Sequence, residues 1–230
     1  MSDDPATEHG ADRRATARRR RQRVIVWGHA GNVADIRAAL DDPDPGVQAA
    51  ALSALARCGS LGLAEVERAL RSESVEVRRR AVDVALRARG RGTRAALPTV
   101  IRQALEDPDP LVVVNAAWFA GERRDAEAVG ALGLIVRGHA DARCREAAVA
   151  ALGAIGDPAG LPAVLLALDD KPTVRRRATV ALAGFDDPRV EEALRKAAAD
   201  RDWQVRQAAG ELLGEDTEEG DEGEPPAGGH

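Results

Sequence analysis

A short phrase returns six times along this chain, and its internal spacing leaves few choices of fold. Its anchors are Val47, Val77, Val112, Cys144, Val174 and Val205, separated by 30, 35, 32, 30 and 31 residues. Alanine stands four residues after every anchor, at Ala51, Ala81, Ala116, Ala148, Ala178 and Ala209. Eight after stands Leu55, Ala85, Ala120, Leu152, Leu182 or Leu213. An apolar row at i, i+4 and i+8 is the buried stripe of a helix rather than of a strand. The chain therefore reads as a helical repeat array.

Three positions before each anchor come Asp44, Ser74, Asp109, Asp141, Lys171 and Asp202. All but the lysine carry a side-chain oxygen able to take an orphan backbone N–H at a helix start. Pro45, Pro110 and Pro172 follow in three repeats, at a position where the missing N–H had no partner in any case. Each phrase thus opens a helix, B. A shorter periodicity precedes it, clearest in Val33/Ile36/Leu40, Leu63/Val66/Leu70 and Leu97/Ile101/Leu105, and marks a first helix, A. Pro98 is expected in the first turn of its A helix, where proline is tolerated. A lone hairpin cannot bury its stripe, but stacked neighbours can, and the alanine lets adjacent B helices approach closely.

Two further positions carry a resemblance to a known family. Asp42, Asp107, Asp169 and Asp200 lie five before their anchors, and Arg78, Arg145, Arg175 and Arg206 one after. In this the sequence resembles HEAT repeats, most closely the phycobilisome-lyase-like type, over roughly residues 24 to 214. The resemblance implies an all-α, right-handed α-solenoid of about six hairpins with an N-terminal cap. It also implies an Asp–Arg ladder linking successive repeats. Gln48 and Val113 stand in place of arginine, and Ser72 and His139 in place of aspartate, so an interrupted ladder is expected. Such arrays serve as scaffolds, adaptors and a few enzymes, so the fold alone does not name a function.

The ends differ in charge. Residues 1–23 carry seven arginines and four acids, whereas residues 215–230 carry seven acids and no Lys or Arg. Neither has apolar content to offset the entropy of ordering. The expected division is an Arg-rich disordered segment at 1–22, the repeat array at 23–214, and a disordered acidic tail at 215–230. Thr16 to Trp27 is the stretch able to form a helical half-repeat over the first hairpin. Two cysteines without framework spacing fit a reducing, cytoplasmic compartment. No apolar run approaches the length that crosses a bilayer.

The third B helix departs most from its sisters. From Val112 it reads Val-Val-Val-Asn-Ala-Ala-Trp-Phe-Ala, with Trp118 where the others have Ser53, Asp83, Ala150, Val180 and Glu211. If B helices line the concave face, Val113, Val114, Asn115 and Trp118 form an apolar centre of the kind that dominates protein interfaces. Arg79, Arg80, Arg176 and Arg177 flank it and would select an acidic partner. The competing reading makes Trp118 a core residue filling space beside Ala85 and Ala120. A second functional reading is a nucleic-acid accessory using Arg18, Arg19, Arg20 and Arg21 with the loop arginines Arg87, Arg89, Arg91 and Arg94. No interleaved aromatics accompany those arginines as stacking platforms. Catalysis has little support. Hydroxylases of the resembled family bind iron through His-Glu pairs, and this sequence has none. No cofactor is expected, His139 near Cys144 lacks the further ligands of a metal site, and no nucleophile sits beside a histidine. The expected activity is non-catalytic binding of a protein partner.

Overall fold

The computed structural model describes residues 5–90 and 93–214, with backbone alone for residues 5–13 and 94. A long helix α1 (Pro5–Ala30) precedes six hairpins, each an A helix followed by a B helix. These are α2 (Val33–Ala38) with α3 (Pro45–Arg57), α4 (Leu63–Leu70) with α5 (Val75–Ala85), and α6 (Thr93–Arg102) with α7 (Pro110–Arg123). Then follow α8 (Val129–Gly138) with α9 (Ala142–Ile155), α10 (Leu161–Ala167) with α11 (Pro172–Ala181), and α12 (Pro188–Ala197) with α13 (Trp203–Leu213). Short 3-10 turns extend several of them, and no strand occurs among the described residues. The protein is an all-α solenoid.

The repeat stripe is its core. All six anchors are buried, all six alanines four residues on are fully buried, and so are four of the six residues at the eighth position. The B helices pack on one another more extensively than the A helices do, because alanine and glycine at their crossings remove the side chains that would hold them apart. Asp44, Asp109, Asp141 and Asp202 cap their B helices by accepting N–H bonds at 2.8–3.1 Å. Ser74 does not. Its own N–H donates to Ser72 Oγ instead. Pro98 sits in the second turn of α6 rather than the first.

The ladder runs between repeats. Three of the arginines bind both the carbonyl that opens their own turn and the aspartate of the next repeat. Arg78 donates to Ser72 O at 3.0 Å and to both Asp107 oxygens at 2.7 and 3.0 Å. Arg175 repeats this with Asp170 O and Asp200. Arg145 donates to His139 O and to Asp170 at 2.6 and 2.7 Å. The rung partner there is Asp170 rather than the expected Asp169, because this turn is one residue shorter before its anchor. Asp169 is exposed and lies 3.7 Å from Lys196. Arg206 keeps only the half within its own repeat, a bond to Asp200 O.

Seen across repeats, the interruptions are matched. Gln48 faces the repeat that has Ser72, and Val113 faces the repeat that has His139, so both ends of each missing rung are absent together. Three of the four remnants keep their local bond: Gln48 Nε2 donates to Asp42 O at 2.7 Å, while Ser72 Oγ and His139 Nδ1 accept the turn N–H that a ladder aspartate would take. Installing Gln48→Arg together with Ser72→Asp should therefore rebuild a rung. A double-mutant cycle in urea is expected to show favourable coupling of about 1 kcal/mol; additive single effects would mean the two positions do not meet.

At the N-terminus the expectation of a structureless 1–22 needs correction. Helix α1 begins at Pro5, well before Thr16. Ala17 and Val24 are buried against the first hairpin, and Arg20 donates to Asp42 at 2.7 and 3.1 Å. This is the ladder's first rung, supplied by the cap. Arginine is a good helix former, and this pairing gives the charged run a structural partner. The acidic stretch 215–230 lies outside the described residues.

Candidate functional site

Helix α7 builds one wall of a groove and α9 the other. On α7 the stripe Val112, Ala116 and Phe119 turns inward, which leaves Val114, Trp118 and Glu122 in an i, i+4, i+8 row along the groove edge. On α9 the facing positions are small: Ala147, Ala150, Ala151 and Ala154. Close approach at the base is set by Gly121, where an added Cβ would lie 3.1 Å from Ala151 Cα. A large ring beside a row of alanines leaves an open, largely apolar cleft of about 510 Å³. Trp118 is 52% exposed at its rim, so it is not a core residue.

Charged groups edge this cleft. Arg177, from α11, stands 3.7 Å from Glu146, beyond hydrogen-bond range. Arg143 is held by Asp141, with Nη2 at 2.6 Å, and this guanidinium keeps the Asp141 carboxyl down at about 2. On the other side of α7, Asn115 donates to the Asp83 carboxylate of α5, which lies 3.7 Å from Arg80. A smaller cleft of about 220 Å³ continues past Arg176 and Val180 toward α13.

The expected centre is partly corrected. Val113 is fully buried and presents nothing to a partner. Its position is where ladder arginines cross the seam between repeats, and those arginines are themselves sheltered, with side chains 5–14% exposed. A valine placed there packs inward. Val114 and Asn115 are half-buried, and Arg79, Arg80, Arg176 and Arg177 are exposed as anticipated. The α9 wall was missed, although its signal is in the sequence: only that helix has alanine at all of the third, sixth and tenth positions after its anchor.

The arginines of the nucleic-acid reading do not act as one patch. Arg18 and Arg19 are exposed, but Arg20 is spent on Asp42 and Arg21 lies 3.9 Å from Asp44. Arg23 sits over the Trp27 ring at 5.7 Å. In the later loop Arg87 is exposed, while Arg89 donates to the Leu86 and Ala88 carbonyls. Arg91 and the Arg94 side chain lie outside the described residues. Cys144 Sγ donates to Pro110 O at 3.3 Å, and burial pushes its thiol up to about 11, which removes it as a nucleophile near neutral pH. Among the described residues no group of three or more His, Cys, Asp and Glu side chains could hold a metal ion. No helix there is long and apolar enough to cross a membrane.

Comparison with known proteins follows this geometry. The family model described as HEAT repeats matches residues 97–179 and 161–224, together more than half of the chain. The complex of CpcE and CpcF of phycocyanin lyase from Nostoc sp. PCC7120 is similar in fold. It has 24% identity over 76% of this chain and 73% of the other, with a TM-score of 0.56. A designed armadillo repeat protein in complex with the peptide (KR)4 has 19% identity over 79% of this chain and 98% of the other, at 0.56. An engineered protein gives 20% identity over 80% and 98%, at 0.59. These likenesses concern the fold. The curated proteins give no match.

Proposed function

Because this chain belongs to the HEAT-repeat family, we propose that it is a non-catalytic, cytoplasmic scaffold or adaptor whose α7–α9 groove docks a protein partner. The observation that carries this reading is Trp118, half exposed over a wall of alanines. Keeping an indole ring in water beside an empty apolar cleft is unfavourable, and covering it contributes the kind of anchor that dominates interfaces. A designed repeat protein of similar fold holding a peptide supports a peptide or protein as the class of ligand. Both cysteines are free, which suits a reducing compartment.

A pull-down with tagged wild type and Trp118→Asp, each with and without nuclease, tests this. The expected result is a protein captured by wild type, resistant to nuclease, and lost with Trp118→Asp. Capture that ignores Trp118 and vanishes with nuclease would transfer the function to Arg18, Arg19 and Arg87. In that case affinity would also fall steeply with salt, as phosphate contacts do.

A further inference from the structure

We infer that the occupant of the groove is an extended peptide segment with acidic residues at both ends and an uncharged, apolar centre. This rests on the groove being the docking site. The repeat register supports it. At the second and third positions after the anchor, α5 presents Arg79 and Arg80 and α11 presents Arg176 and Arg177, all exposed. The two helices between them carry no arginine at those positions. Among the described residues Arg79 and Arg176 have no partner. Arg80 and Arg177 have only the loose 3.7 Å contacts with Asp83 and Glu146, which a ligand carboxylate readily replaces.

Two cationic ends thus bracket an apolar middle, where the row Trp118, Ala150 and Val180 crosses three helices. Val180, like Trp118, is exposed. Three interhelical steps of about 8–10 Å separate α5 from α11. A chain rising about 3.3 Å per residue covers that span in about seven to nine residues. Glu122 and Glu146 line the cleft between the arginine pairs, so an anionic group at the ligand's centre is repelled. A nucleic acid, charged at every step, fits this pattern poorly. Residues 215–230 of this chain fit it poorly too, since they offer seven acids and nothing apolar larger than proline.

The test is fluorescence anisotropy of labelled synthetic peptides with the full chain. The lead peptide has Glu-Glu at each end and Leu-Leu at its centre, with the acidic pairs about eight residues apart. Saturable binding is expected, weakened about tenfold or more by Trp118→Ala, by Arg79→Glu with Arg80→Glu, or by a serine centre. Lysine at one end of the peptide should restore binding to the charge-reversed pair, a rescue that a misfolded variant would not show. Binding that needs Trp118 but ignores the end charges overturns this inference and leaves the groove reading standing. Binding that ignores Trp118 as well removes both. Tighter binding of peptide 215–230 or of single-stranded DNA overturns it, as does no binding at any spacing from about five to eleven residues.

Discussion

Gly153→Ala is expected to destabilise the protein by about 1–3 kcal/mol, a large response to a single methyl group. A Cβ at this position would lie 2.7 Å from Ala181 Cβ, 2.8 Å from its Cα and 2.9 Å from its carbonyl oxygen. None of these atoms can rotate away, so α9 and α11 must separate, and the packed stripe beneath them separates too. Ala148→Leu tests the same seam from within, because Ala148 is fully buried and three added carbons have nowhere to go. Gly130→Ala on α8 is the control: nothing lies within 4 Å of its added Cβ, and the gain in helix propensity should be neutral to stabilising. Urea midpoints for the three variants decide the matter. If the first two matched wild type, α9 and α11 would have to lie farther apart than described.

Arg175→Ala should cost about 3 kcal/mol. Removing one partner of a buried ion pair costs about 3–5 kcal/mol, and the low end applies because Asp200 still accepts the Asp202 N–H at 2.7 Å. The bonds from Arg145 and Arg175 hold the Asp170 and Asp200 carboxyls below the ordinary carboxylate range. A carboxyl whose pKa is depressed by folding stabilises the fold above its unfolded value, near 3.9. That contribution is lost as pH falls through the folded value. Asp141 and Asp187, held at about 2 by hydrogen bonds from Arg143 and Arg189, set the lower edge. Stability is therefore expected to fall between about pH 4 and pH 2, and less steeply in Arg175→Ala than in wild type. Parallel slopes in urea titrations across that range would remove the ladder as the source.

The helices and the buried alanine row were legible because a fourfold spacing repeated six times admits one backbone. What failed was register and environment. Asp169 and Asp170 are neighbours in an acidic turn, and counting back from the anchor cannot show that this turn is one residue shorter. Val113 was grouped with its neighbours Val114, Asn115 and Trp118, although sister repeats place ladder arginines at its position. Those arginines are buried along their stems and satisfied at their tips, so the position shelters whatever occupies it. The half-repeat was legible only from Thr16 to Trp27, because the apolar residues of α1, Ala17 and Val24, are few and Arg20 finds its partner only in another repeat. Trp118 could not be assigned from sequence, since its exposure depends on how far the alanines of α9 recede from it.

The matched gaps in the ladder bear on where the groove sits. Arginine–aspartate rungs tie the cap helix α1 to α3 and three of the five seams between B helices, and their strength varies with acidity and ionic conditions. The α7–α9 seam has none: Val113 is buried there, and the anchor Cys144 bonds to Pro110 O instead. The groove on that seam therefore keeps its shape through packing and neutral hydrogen bonding rather than through a charged rung. Its packing thereby rests on no ladder ion pair across the seam, while the arginine pairs on either side remain sensitive to salt.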